Sequence, residues 1–167
     1  MRILFTSVPA FGHLLPLLPP ATAARAAGHQ VALQSHGSTG TAAPSIPLLE
    51  AGPSPTETLA AMTRPGESDP TDFAVEFFVE ARLNLGARAA LAAARDFGPD
   101  LVVAESSDYL GPFAAAALGV PWAAYGTFLP LAEPFAAALA RRGGGKFGEH
   151  GVRPLRPSRT SIRGRTG

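Results

Sequence analysis

The chain carries four histidines and no cysteine, so imidazoles and carboxylates are the side chains on hand for proton transfer near neutral pH. His13 stands in the first loop, Pro9-Ala10-Phe11-Gly12-His13. Two acids, Glu105 and Asp108, stand in a later polar loop, Glu105-Ser106-Ser107-Asp108. An imidazole with a carboxylate on its far nitrogen is a tuned general base. The carboxylate fixes the tautomer and stabilises the imidazolium that forms on proton transfer. Such a pair deprotonates a hydroxyl. The competing role is structural, because a His after Gly at a helix start also caps or contacts backbone. Spacing leaves open which acid partners His13. His29 reads as a turn residue and His36 as a loop residue at the same sheet edge as His13. His150 has no assigned role. No two His share a helix face at ligand spacing, so no metal site is expected.

These residues come together only if particular elements place them. Residues 2–8, Arg-Ile-Leu-Phe-Thr-Ser-Val, form a short apolar run closed by Pro9, the pattern of a strand buried on both faces. A Leu- and Ala-rich helix follows over 14–27 and stops at Gly28. Strands are expected at 30–34, 45–50, 101–104 and 120–125, the second of these weakened by Pro47. Residues 51–71 read as a long loop. Asp72 is expected to cap a helix running to Phe97, with Gly86 as a candidate break. Further helices are expected over 111–118 and 130–142, the last one ended by the glycine run.

Strands alternating with helices predict an α/β fold, a mostly parallel sheet covered on both faces. Such sheets bind ligands at the carboxyl ends of their strands, where strand order reverses. In the order 3-2-1-4-5 that crevice lies between the first and fourth strands. His13 follows the first and Glu105 the fourth. Neighbouring parallel strands lie about 4.8 Å apart, which permits a hydrogen bond across the gap.

Phe73, Phe77 and Phe78 cluster at the start of the long helix. With Phe11, Trp122 and Phe128 they are candidates to line an apolar pocket, against ordinary packing of a helix on the sheet. The first loop holds one glycine, Gly12, among bulky residues, which argues against a dinucleotide cofactor. No phosphate-binding Walker loop, His-Glu-x-x-His or Gly-x-Ser-x-Gly occurs.

With 167 residues, 46% of them hydrophobic, the chain suits one domain, or a domain plus a tail. Absence of cysteine excludes a disulfide scaffold and a thiolate nucleophile. No apolar run approaches the roughly 20 residues of a membrane span. The opening lacks the pattern of a secretory signal, and a cytoplasmic location is the expectation. The net charge of +1 is unevenly spread. Residues 1–140 are acidic and residues 141–167 are basic. The latter read as a disordered, Gly/Arg/Pro-rich tail, solvated rather than bound to nucleic acid or membrane.

Three segments carry a resemblance. They are Arg2-Ile3-Leu4-Phe5-Thr6-Ser7, Pro9 through Leu17, and Ala23 through Val31. Together with Pro99-Asp100-Leu101-Val102-Val103-Ala104-Glu105 and the stretch from Gly111 to Pro121, they resemble the amino-terminal domain of GT-B glycosyltransferases. The branch is that of bacterial natural-product enzymes, macrolide and enediyne type, related to UDP-glucuronosyltransferases. The resemblance covers about residues 1–140 and implies a Rossmann-like acceptor-binding domain. It implies that His13 is the general base toward an acceptor hydroxyl, which then attacks the anomeric carbon of a nucleotide sugar with inversion. It implies no metal and no cofactor beyond the donor substrate. Glu105 falls where many relatives have the supporting Asp, and Asp108 remains a candidate. Phe11, Gly12, Phe73, Phe77, Phe78 and Ser106 are the expected substrate-binding residues.

The implied partners are a small hydrophobic acceptor and a separate donor-domain chain. After Arg142 the resemblance fades, and a truncated or frame-shifted product is the expectation, with an unpaired sheet edge exposed. The alternative is a non-catalytic remnant or small-molecule binding module with the same fold.

Overall fold

A computed structural model of the chain describes residues 1–63, 69–126 and 132–158. Five parallel strands form one sheet in the order β3-β2-β1-β4-β5. They are β1 (Arg2–Thr6), β2 (Gln30–Ser35), β3 (Leu48–Glu50), β4 (Leu101–Glu105) and β5 (Trp122–Tyr125). The strand order and the switch point between β1 and β4 are those expected from the alternating pattern. In the β1–β4 register Thr6 lies beside Ala104, so both chains leave the sheet at the same level.

The two faces of β1 account for its unbroken apolar run. Ile3 and Phe5 pack with Leu14, Leu17 and Ala21 on one side. Leu4 packs with Ala94, Val102 and Ala114 on the other. Alternate residues point to opposite faces, and each face is covered by helices. Burying one such Leu or Phe contributes about 2 kcal/mol.

After β1 the chain turns through an extended Ala10 into α1 (Phe11–Leu14), a 3-10 turn (Leu15–Leu17) and α2 (Leu18–Ala26). Pro16, Pro19 and Pro20 explain the irregular start, because a proline lacks the N–H that a regular helix interior uses. The segment 51–71, expected as a loop, contains a helix, α3 (Pro55–Ala60). Its signal is local: Ser54 and Glu57 form a reciprocal capping box ahead of Pro55.

The long helical stretch is capped by Asp69, whose Oδ1 accepts the Thr71 N–H at 2.7 Å, and not by Asp72. Asp72 lies in the first turn of α4 (Pro70–Val75). A π-helical segment, Glu76–Ala81, then leads into α5 (Arg82–Phe97). The irregularity falls there and not at Gly86, which packs tightly against Pro53, Gly52 and Leu110. Gly98 and Gly119 end α5 and α6 (Leu110–Leu118) in the left-handed conformation.

The glycine run does not end the last helix. α7 spans Glu133–Glu149, straight through Gly143, Gly144 and Gly145. A Cβ on Gly143 would stand 2.5 Å from the Tyr109 ring, so a small residue lets α7 approach α6. The expected disordered tail from 141 is therefore helical up to Glu149. Two of its basic residues are paired within the fold. Arg142 pairs with Glu80 and with Glu149, and Lys146 reaches Glu149 at 2.6 Å and Glu80 at 3.5 Å. Nor is the β5 edge left bare, since Ser158 N–H donates to Trp122 O at 2.7 Å and Trp122 Nε1 to Leu155 O at 2.9 Å. Phe128 and residues 159–167 lie outside the described residues.

Candidate active site

His13 and Glu105 meet across the switch point. His13 Nδ1 lies 2.9 Å from Glu105 Oε2. The His13 side chain is 15% exposed and the Glu105 side chain not at all. Backbone geometry sets both ends. Extended Ala10 lets α1 start two residues before His13, whose N–H donates to Ala10 O at 3.0 Å. Glu105 is the last residue of β4, and its other oxygen, Oε1, accepts Ser106 Oγ–H at 2.9 Å and Ser107 N–H at 3.0 Å. Those donors favour the ionised carboxylate. A carboxylate at Nδ1 holds the ring proton on that nitrogen, and Nε2, on the opposite side of the ring, is then the basic atom.

Asp108 is not part of this pair. Its Oδ1 accepts from Arg82 Nη2 at 3.1 Å and its Oδ2 from Gly111 N–H at 2.9 Å. Both side chains of that ion pair are buried. The candidate role of Asp108 as the acid supporting His13 is thereby corrected: its carboxylate neutralises Arg82 and caps the start of α6. Sequence reasoning passed over Arg82, although a signal was there. Val79, Arg82, Leu83, Gly86 and Ala90 fall at helical spacing, so an arginine stood within an apolar stripe and needed a buried partner.

The expected aromatic pocket divides in two. The Phe78 ring is 5.8 Å from the His13 ring, centroid to centroid. Phe77 meets Phe78 edge-on at 5.1 Å and stacks on Phe73 at 6.0 Å, making an aromatic row that ends on His13. Phe11, 55% exposed, and Gly12 flank His13 on α1, and a Cβ on Gly12 would meet nothing. Trp122 is elsewhere. With Tyr109, Pro112, Phe147 and Leu155 it lines a cavity of about 300 Å³ on the β5 side, where Glu105 and Ser106 form part of the wall. Tyr109 was also unanticipated. Burial, and then the charge of Glu105, push its hydroxyl up to about 12. His36 accepts the Ser38 N–H at 3.2 Å through Nδ1 and so caps a 3-10 turn, the loop role expected of it.

Among the described residues no group of three or more His, Cys, Asp or Glu side chains is placed to hold a metal ion. Among them, too, no helix is long and apolar enough to cross a membrane. The pair His13–Glu105 at a sheet switch point can accept one proton from a hydroxyl and hold the resulting positive charge.

No family model matches the chain. Over 151 residues it is 33% identical to the L-demethylnoviosyl transferase of Streptomyces niveus, covering 78% of this chain and 36% of that protein. The structure superimposes on SsfS6, a glycosyltransferase of Streptomyces sp. SF2575, with a TM-score of 0.79 at 26% identity. That match covers 94% of this chain and 48% of SsfS6. SsfS6 has also been solved with thymidine diphosphate. The glycosyltransferase SnogD of Streptomyces nogalater gives a TM-score of 0.75 at 28% identity, over 96% of this chain and 44% of SnogD. The chain thus spans about a third of its curated relative and about half of these solved enzymes. By sequence and by fold it is a relative of the bacterial natural-product glycosyltransferases, carrying the amino-terminal half of the GT-B architecture.

Proposed function

We propose that the chain is the acceptor-binding half of an inverting glycosyltransferase. The observation that carries this reading is the 2.9 Å contact between His13 Nδ1 and Glu105 Oε2 at the carboxyl end of the sheet. Glu105 keeps the ring proton on Nδ1, and Nε2 takes the proton of an acceptor hydroxyl. The acceptor oxygen forms its bond to the anomeric carbon as the bond to the nucleoside diphosphate breaks. Attack from the face opposite the leaving group inverts that carbon. Glu105 then offsets the charge of the imidazolium.

The acceptor is a small hydrophobic natural product. The row Phe73–Phe77–Phe78, ending on His13, supports this, because it offers apolar surface beside the base. Phe11, Gly12 and Ser106 are proposed to contact the acceptor as well. The nucleotide sugar is held by a donor-binding half outside these 167 residues. Thymidine diphosphate in SsfS6 supports a thymidine-diphosphate sugar as the donor class.

The test is reconstitution. The chain is mixed with a donor-binding half taken from a relative, and sugar transfer to a hydrophobic polyol acceptor is assayed. The mixture is expected to turn over and the chain alone is not. Equal activity with and without the second half would refute the division of labour. In the same mixture His13→Ala should lower transfer at least about a hundredfold. Indifference to that change leaves the chain as a binding module of the same fold and removes the general-base role.

A further inference from the structure

The Arg82–Asp108 ion pair is buried and takes no proton in the transfer above. Burying two charges is costly, and such a pair is weak as a source of stability. Its placement gives it another use. Asp108 closes the turn that begins at Glu105, its own N–H donating to Glu105 O at 2.9 Å. Its two side-chain oxygens take Arg82 Nη2 and the Gly111 N–H. Arg82 is the first residue after the π-helical segment, one turn beyond Phe78. One ion pair therefore ties together the turn that follows Glu105 and the helical stretch that carries Phe78. Glu105 and Phe78 themselves flank the His13 ring.

We infer that Arg82 and Asp108 are positioning residues for the His13–Glu105 pair. They lock the Glu105–Asp108 turn so that Oε1 faces the Ser107 N–H and Oε2 faces Nδ1. The inference rests on the general-base reading of His13 and adds how its acid is held. Neither Arg82 nor Asp108 touches substrate.

The test uses the full chain labelled with ¹⁵N in the imidazole rings and the backbone. The readouts are the proton on His13 Nδ1, seen as its tautomer, and hydrogen exchange of the Ser107 N–H. In the unaltered chain the ring proton is expected on Nδ1. Glu105→Ala serves as the control for the underlying reading. If the tautomer is indifferent to it, the His13–Glu105 couple itself fails. The decisive variant is Arg82→Met with Asp108→Asn. It removes both buried charges together, and Asn keeps an acceptor for the Gly111 N–H. The expected result is a folded protein, with dispersed amide signals, that loses the Nδ1–H resonance. Its Ser107 N–H should exchange about tenfold faster, the worth of about one hydrogen bond.

A folded double variant with an unchanged tautomer and unchanged Ser107 exchange overturns the inference, whatever its melting temperature. Asp108→Asn alone provides a second variant with the same readouts. The unaltered chain supplies a third measurement. The Ser107 and Gly111 N–H groups should exchange through one common opening, and a Ser107 N–H at least tenfold less protected than Gly111 also overturns it.

Discussion

Glu105, the last residue of β4, and Asp108, three residues on in the turn that follows, each hold a basic side chain at about hydrogen-bond distance, 2.9 Å for His13 and 3.1 Å for Arg82. Their surroundings differ. The His13 ring is 15% exposed and faces the crevice at the strand ends, whereas Arg82 is 2% exposed and walled in by helices. Glu105 holds an imidazole and Asp108 a guanidinium. The difference teaches that spacing from a strand end does not by itself assign a carboxylate to chemistry. The titratability and exposure of its partner do.

The largest effect should come from breaking the closed pair. Asp108→Ala leaves the Arg82 guanidinium buried without its carboxylate and uncaps the start of α6. A loss of about 3–5 kcal/mol in unfolding free energy is expected, read from urea denaturation. A loss under about 1 kcal/mol would mean that Asp108 is more accessible to water than its surroundings indicate, and the contrast between the two acids would collapse. His13→Ala should do the reverse. Its stability cost is about 1 kcal/mol, because Glu105 keeps the Ser106 and Ser107 donors. Turnover in the reconstituted mixture should fall about a hundredfold to ten-thousandfold, as expected for a lost general base.

A smaller effect tests how tightly the closed side is packed. A Cβ on Gly111 would fall inside the Thr6 side chain, so Gly111→Ala must push α6 off β1. The expected cost is about 1–3 kcal/mol by thermal or urea unfolding. Adding Thr6→Ala should recover part of it, since it removes two of the three clashing atoms. Full additivity of the two changes would place the strain somewhere else.

Much of this contrast was legible beforehand. The continuous apolar run of β1 announced a strand buried on both faces, and that of β4 a short buried strand. Alternation with helices predicted a parallel sheet, and its common strand order brought His13 and a carboxylate to one crevice, with Glu105 and Asp108 both left as candidates. The partner of Asp108 was not legible, because Arg82 lies 26 residues earlier in sequence and the link depends on how α5 packs over the loop. The last helix was misjudged for a similar reason. Glycine is a poor helix former in isolation, but Gly143 is held in α7 by its close approach to Tyr109, and tertiary packing outweighs a local penalty of about 1 kcal/mol. The aromatic row was foreseen as a cluster. The split that sends Trp122 to the β5 side was not, since it follows from strand order and from the segment that closes over β5.

Tyr109 stands next to Asp108 on the closed side and senses the charge on Glu105. Burial first, and the Glu105 carboxylate second, raise its hydroxyl from 10.0 to about 12. A raised folded value means that the folded state holds the phenolic proton more firmly than the unfolded chain does. The contribution is therefore complete below pH 10 and fades as pH climbs toward 12. Unfolding free energy should decline by about 2 kcal/mol across that window beyond what other groups contribute. Tyr109→Phe removes the titrating group and should flatten the decline, measured as urea midpoints at stepped alkaline pH. Glu105→Gln should flatten it only slightly, because the carboxylate is the lesser cause. A larger effect from Glu105→Gln than from Tyr109→Phe would reverse that ranking and show that the charge of the open pair governs the closed side as well.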